Sequence, residues 1–152
     1  MQIRIGLENG FEGRSIAWAL DHPGCFAYGQ DGAEALLSVP RAVLAYADWV
    51  GRHAQPNWLA GLGDFDVRLV EAFEVYSVDA QFDLAADGNL VNAFFHQDWK
   101  PLTRTELERA AQMLAWSHAE LLEFASALSP EVLNAPREGE RWTRLGIGAH
   151  VA

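Results

Sequence analysis

The residues best suited to chemistry in this 152-residue chain are five histidines, one cysteine and scattered carboxylates. A zinc or nickel site needs at least three protein donors held in a fixed geometry. His53, His96 and Asp98 lie in predicted loops at no spacing typical of metal ligands. His118 falls on the apolar face of a predicted helix, where a hydrogen-bonded core histidine is the favoured interpretation. We therefore expect no complete active site and no resident cofactor.

The acidic residues near the N-terminus and the single cysteine are the other candidates for catalysis. A metal-dependent nuclease site requires several carboxylates that converge on metal ions. Glu8, Asp21 and Asp31 are predicted at turns or strand ends, which favours solvated acids over a catalytic cluster. Cys25 has no basic neighbour in sequence that would lower its pKa, which favours an inert structural thiol. The chain also contains neither a Gly-rich phosphate loop nor a nucleophile elbow.

The composition is that of an acidic globular protein with enough apolar residues for a core. Half of the residues are hydrophobic, and 11 basic residues face 21 acidic ones, which gives a formal charge of −10. Such a surface repels phosphates, so we expect no nucleic-acid partner. A single cysteine allows no intrachain disulfide, which fits a reducing compartment. No apolar run approaches the ~20 residues that span a bilayer. We expect a cytoplasmic protein with no membrane partner.

Alternating apolar and polar residues predict three strands near the N-terminus. The strands cover residues 3–8, 15–20 and 25–30, and turn residues separate them. In the second strand, the alternation predicts that the inward-facing side chains are those of Ile16, Trp18 and Leu20.

A change to spacings of three and four predicts an amphipathic helix over residues 33–52. Pro40 lies inside this stretch, so either the helix kinks or one short helix ends and a second begins at Pro40. Residues 67–78 form a long β-prone run. Residues 82–84 and 90–95 flank an Asp-Gly turn, which predicts a second hairpin.

One pattern combines three features of the first half. They are the order strand–strand–strand–helix–strand, a helix start at residues 31–36 and a turn at Pro23, Gly24 and Cys25. In these features, residues 1–78 resemble the HicB-like family, the antitoxin components of toxin–antitoxin pairs. The resemblance implies a partial RNase H-like fold that recognises proteins rather than cutting RNA. HicB antitoxins carry a DNA-binding segment after this unit, but no basic helix or ribbon follows here. Pro23, Gly24 and Cys25 are accordingly predicted to form a structural turn.

The second half begins after Lys100-Pro101, with residues 79–100 as the preceding hairpin or linker. Thr103 and Glu106 form a Thr-x-x-Glu capping box, which predicts that a helix starts there and continues to Leu128. One face of that helix is made of Leu107, Ala111, Leu114, His118, Leu121, Ala125 and Leu128.

The second half contains further short features in order along the chain. They are Trp116-Ser117, a turn at residues 129–131, the stretch 138–143 and His150-Val151-Ala152. In these features, residues 101–152 resemble the opening of a DinB-like four-helix bundle. The resemblance implies that His150 is one ligand of a divalent zinc or nickel ion, with two more histidines on a later helix. It also implies an alternative function, namely the N-terminal part of a metal-dependent hydrolase or thiol transferase.

Together, these patterns predict an α+β protein in which a HicB-like β-β-β-α-β unit and a hairpin precede a helical hairpin. The helical hairpin leaves an apolar face uncovered, which predicts a homodimer. The favoured interpretation is that the chain is a non-enzymatic protein-interaction or oligomerisation module. Besides its own second copy, it is expected to bind a protein partner. The alternatives are the metal-dependent enzyme and an antitoxin-like binder of a small basic toxin.

Overall fold

A computed structural model describes residues 1–136 and 142–151 of the chain. The chain forms two compact units, Met1–Pro101 and Leu102–Ala152. The first unit contains a mixed four-stranded sheet, a small two-stranded sheet and one long helix, and the second contains helices. The predicted α+β class is therefore confirmed. Residues 79–100, predicted as a hairpin or linker, belong to the first unit.

The first unit follows the order β-β-β-α-β before its small hairpin sheet. The elements are β1 Gln2–Phe11, β2 Arg14–Ala19, β3 Phe26–Gly29, α1 Gly32–His53, β4 Asp66–Glu74, β5 Tyr76–Val78, β6 Asn89–Val91 and a 3-10 helix His96–Trp99. In the main sheet the strand order is β3-β2-β1-β4; β1 runs parallel to β4, and the other neighbours are antiparallel.

Helix α1 covers one face of the main sheet, which we call the inner face. Its N-cap is Asp31, whose carboxylate accepts a hydrogen bond from the backbone N–H of Glu34 at 2.8 Å. Pro40 lies within this one helix, so the alternative of two separate helices is wrong. The face of α1 that is buried consists of Ala35, Val39, Val43, Tyr46 and Val50.

The inner face of the sheet carries the side chains that alternate toward α1. In the register of β1 and β2, Ile5 lies opposite Ala19 and Leu7 lies opposite Ala17. All four side chains are buried. Ile16, Trp18 and Leu20, the side chains predicted to point inward from the second strand, belong to the sheet face opposite α1, and Ile16 is buried there. Because both faces of this sheet are covered, apolar residues occur on both, and alternation alone does not tell them apart.

The β-prone run at 67–78 is divided between two sheets. Strand β4 ends at Glu74, and β5 begins at Tyr76. Strand β6 pairs antiparallel with β5, with Ser77 opposite Leu90. The predicted pairing of residues 82–84 with residues 90–95 is wrong, since Leu84 makes an isolated bridge with Val78 instead.

The second unit consists of α2 Arg104–Ser126, α3 Pro130–Asn134 and α4 Arg144–Val151. The Thr103 hydroxyl accepts a hydrogen bond from the N–H of Glu106 at 3.3 Å, and the Glu106 carboxylate accepts one from the N–H of Thr103 at 2.7 Å. This reciprocal pair satisfies two backbone donors at the start of α2. Among the described residues, no helix combines the length and apolar character needed to cross a bilayer.

Candidate functional site

The sheet face opposite α1, which we call the outer face, brings together aromatic and charged side chains. Its register places Gly6 opposite Trp18 and Glu8 opposite Ile16. Across the next strand pair, Trp18 lies opposite Phe26, and their ring centroids are 5.2 Å apart. Tyr28 continues the row, with its ring centroid 5.3 Å from that of Phe26 in an edge-on arrangement. The first pair is tilted and the second is edge-on, and both centroid distances lie in the range that aromatic pairs favour.

Residues 92–99, which we call the covering segment, cross the outer face. The Phe95 ring is buried above Gly6, where a Cβ atom would meet two of its ring carbons at 2.8 Å. Gln97 accepts a hydrogen bond from the Arg4 guanidinium at 3.0 Å. The backbone N–H of His96 donates to the Glu71 carboxylate at 3.0 Å. The segment is thus fixed to the sheet through both apolar packing and polar contacts.

Glu8 lies at the centre of the outer face and is 3% exposed. One carboxylate oxygen accepts from the Trp18 indole N–H at 3.0 Å, and the other accepts from the backbone N–H of Ala93 at 2.7 Å. The expectation that Glu8 is a solvated acid at a strand end is therefore wrong. Its strand extends to Phe11, beyond the predicted end, and the covering segment comes from a distant part of the sequence.

The other two N-terminal acids have structural partners and do not converge with Glu8. Asp21 forms a two-pronged ion pair with Arg4, and its pKa is lowered chiefly by that hydrogen bond. Asp31 caps α1. The three carboxylates therefore serve different local roles and do not form one cluster.

The turn Pro23, Gly24 and Cys25 links β2 to β3 at one side of the outer face. Gly24 has a φ of +81°, a value that L side chains rarely adopt. The N–H of Cys25 donates to the carbonyl of His22 at 2.9 Å, and the carbonyl of Cys25 accepts from the N–H of Ala19 at 2.9 Å. The chain thereby reverses and places the Cys25 side chain in the interior.

Burial raises the pKa of the Cys25 thiol from 9.0 to about 11. We predict that the folded protein is alkylated by iodoacetamide at about pH 8 at least ~100-fold more slowly than the unfolded chain, because the thiolate is the reacting species. Mass spectrometry of timed reactions measures both rates. Equal rates would contradict the assignment of an inert thiol. Because the Cys25 thiol ionises at a lower pH in the unfolded chain, the free energy of unfolding should fall as the pH rises from 9.0 toward 11.

A pocket opens on the outer face between the covering segment and the β2–β3 turn. Its cavity volume is about 480 Å³. Glu8 and Trp18 line it from the sheet, and Ala93 and Phe95 line it from the covering segment. His22 lines it from the turn, and burial lowers the pKa of this imidazole against an opposing effect of Asp21. The volume lies within the range of small-molecule sites.

The histidines considered as metal ligands do not come together in the part of the chain that the structure describes. His118 is exposed on α2, so the interpretation as a core histidine is wrong. His96 is paired with Glu71, with 3.2 Å between the ring nitrogen and the carboxylate. The side chain of His150 lies outside the described residues, so the predicted zinc or nickel ligand stays a prediction. Among residues 1–136 and 142–149, no group of three or more His, Cys, Asp or Glu side chains is placed to hold a metal ion.

Comparison with protein-family models, curated proteins and solved structures gives no match to this chain. The HicB-like and DinB-like assignments therefore stay predictions.

Proposed function

We propose that this chain is a protein-interaction module that forms a homodimer through one face of α2. This face, which we call the leucine face, contains Leu107, Leu114 and Leu121 at intervals of seven residues. Their side chains are 59%, 71% and 38% exposed, and this exposure is the observation that carries the proposal. Contiguous apolar surface of this kind is typical of an interface, because water contact with it is unfavourable.

The distribution of charge around α2 singles out the leucine face. At about 100° per residue, Ala111, His118 and Ala125 fall beside the three leucines. From Leu107 onward, every charged residue of α2 lies at the flank of this face or on the opposite side, namely Glu108, Arg109, Glu120 and Glu123. The centre of an interface is depleted of charge in the same way.

The other side of α2 already has contacts within the chain. Ala110, Met113 and Trp116 follow one another along the helix and are half-buried. No residue of α2 is fully buried. The leucine face is therefore an apolar side of α2 that remains exposed.

A second copy of the chain fits this face because its pattern is symmetric about Leu114. In an antiparallel pair centred there, Leu107 of each helix meets Leu121 of the other, since both lie seven residues from the centre. Ala111, Ala115 and Ser117 flank Leu114, and such small side chains allow two helices to approach closely. Antiparallel helices also place opposite ends of their dipoles together. A two-fold contact of this kind is closed and self-complementary.

The expected affinity follows from the size of the contact. Helix α2 has 23 residues, so it is about 34 Å long. One helix pair of this length buries an area at the lower end of specific interfaces. We therefore expect a dimer that forms at micromolar concentrations and dissociates on dilution.

The element order of the first unit supports a HicB-like interaction module, and the capped helix of the second supports a DinB-like origin for the helical part. On this proposal, the first unit remains available for a protein partner while α2 joins two chains. A small basic protein of the toxin type is the partner class that the net charge of −10 favours.

Light scattering coupled to size-exclusion chromatography tests the dimer. At tens of micromolar, we predict a mass of twice the 16.8 kDa chain for the wild type and a single chain mass for Leu114→Arg. An arginine at the centre of the contact places two uncompensated charges against each other, which we expect to weaken association by at least ~100-fold.

Leu37→Arg is the matched control, because Leu37 is also a helical leucine and is 82% exposed on α1. This variant is expected to remain dimeric. A wild type that elutes as a monomer at these concentrations, or a Leu114→Arg variant that stays dimeric, would show that the proposal is wrong.

A further inference from the structure

The pocket on the outer face combines three features that together define the chemistry of a ligand. They are a buried carboxylate, a lining without basic side chains of the Lys or Arg type, and aromatic rings. Every residue that lines the pocket belongs to the first unit, so the pocket does not depend on the dimer.

The buried carboxylate is that of Glu8. Its two hydrogen bonds, from the Trp18 indole and from the backbone of Ala93, fix both oxygens in place. Both donors are neutral N–H groups, and none of the ion pairs of the described residues involves Glu8. Each oxygen keeps a further lone pair for an acceptor interaction. A buried carboxylate with only neutral donors gains strongly from a cation beside it.

Arg4 also belongs to the outer face, but its guanidinium is already engaged by Asp21 and Gln97. The carboxylates of the pocket lining are those of Glu8 and Asp98, and the lining contains no Lys or Arg. His22 also lines the pocket, and its lowered pKa favours the neutral imidazole. The lining therefore has an excess of negative charge, which attracts cations and repels anions.

Aromatic rings complete the pocket. Trp18, Tyr28, Phe11 and Phe95 all contribute to the lining. Tyr28 is 52% exposed, so its ring is accessible from the mouth of the pocket. The face of an aromatic ring attracts a cation within about 6 Å, and the effect is largest where water is excluded. Rings around a carboxylate are suited to an ammonium group that carries apolar substituents.

We propose that the outer-face pocket binds a small organic ammonium ion, with the Glu8 carboxylate as its counter-ion and the Trp18 and Tyr28 rings as its walls. A hydrated metal ion is a poorer fit, because the lining offers two carboxylates, Glu8 and Asp98, among mostly apolar side chains, fewer oxygen ligands than such ions prefer. An anionic ligand finds no basic group of the Lys or Arg type in the lining.

Nuclear magnetic resonance of the full chain tests this inference with choline, butylammonium and 3,3-dimethylbutan-1-ol, the uncharged carbon analogue of choline. The readout is the Trp18 indole N–H signal, since that group donates to Glu8. We expect both ammonium ions to shift it in a saturable manner at millimolar concentrations or below. The alcohol is expected to bind at least about tenfold more weakly, because it lacks the charge.

Two variants and one control assign the site. Glu8→Gln keeps the size of the side chain and removes its charge, so ammonium binding should weaken by about tenfold or more. Tyr28→Leu removes one ring at a half-exposed position and should weaken binding several-fold. Glu12→Gln removes one carboxylate from the β1–β2 turn and should bind like the wild type.

If Glu8→Gln does not fold, Tyr28→Leu and the alcohol comparison decide the matter. No saturable shift with either ammonium ion, equal binding of the alcohol, or unchanged binding in a folded Glu8→Gln variant would each overturn the proposal.

Discussion

Gly29→Ala is expected to abolish the cooperative folding of the first unit or to lower its stability by about 3 kcal/mol or more. Gly29 ends β3 directly beside the start of α1. A Cβ atom there would lie 2.2 Å from the backbone nitrogen of Ala35 and 2.7 Å from the carbonyl oxygen of Asp31. Both are backbone atoms of the first helical turn, so only a shift of α1 away from β3 relieves the clash. Denaturant unfolding followed by circular dichroism measures the loss.

Gly63→Ala is the matched control for this substitution. Nothing lies within 4 Å of a Cβ atom built at Gly63. Its stability should stay within about 0.5 kcal/mol of the wild type. A Gly29→Ala protein as stable as this control would contradict the close contact of α1 with β3.

Gly6→Val is expected to displace the covering segment from the outer face and to cost about 2 kcal/mol. The new Cβ atom would meet the Phe95 ring at 2.8 Å and the Leu20 side chain at 2.9 Å. Because these are side-chain atoms, the segment can move aside, and the loss should be smaller than for Gly29→Ala. Hydrogen exchange should then show faster exchange of the Ala93 amide, whose bond to Glu8 is broken.

Gly63→Val serves as the control here, since it adds the same side chain to an open position. Protection of residues 92–99 should not change in this variant. Unchanged exchange at Ala93 in Gly6→Val would show that the covering segment does not pack on the sheet as described.

Features with a local cause could be predicted from the sequence. The cap at Thr103 and Glu106 depends on residues three apart, and the helix at 33–52 depends on spacings of three and four. The order β-β-β-α-β likewise follows from successive short patterns. The cap, the helix and the element order each depend on residues close together in the sequence, so residue propensity and periodicity were sufficient to predict them.

Features that depend on distant segments could not be predicted in the same way. Glu8 is buried because Ala93, 85 residues later, closes over it. Ile16 lies opposite Glu8 on the outer face and is buried there, although α1 covers the other face of the sheet. The pairing of β6 with β5 was missed because the nearer residues 82–84 looked equally suitable. No local pattern in the sequence distinguishes these outcomes.

The pocket combines both kinds of feature. The turn Pro23, Gly24 and Cys25 was predicted as a structural turn from its residue types. No residue pattern indicated that the same turn lines a cavity with Glu8, because the predicted end of β1 at Glu8 placed this carboxylate in solvent.

Disulfide formation by single-cysteine variants tests the central claim, the antiparallel pairing of α2, most directly. Under mild oxidation, an equimolar mixture of Leu107→Cys and Leu121→Cys should form a cross-linked heterodimer. Leu107→Cys alone should not, because its two thiols would be about 21 Å apart in the antiparallel pair. The wild type, whose only cysteine is buried, supplies the background. A mixture that stays uncross-linked, or a rapid cross-link in Leu107→Cys alone, would contradict the account.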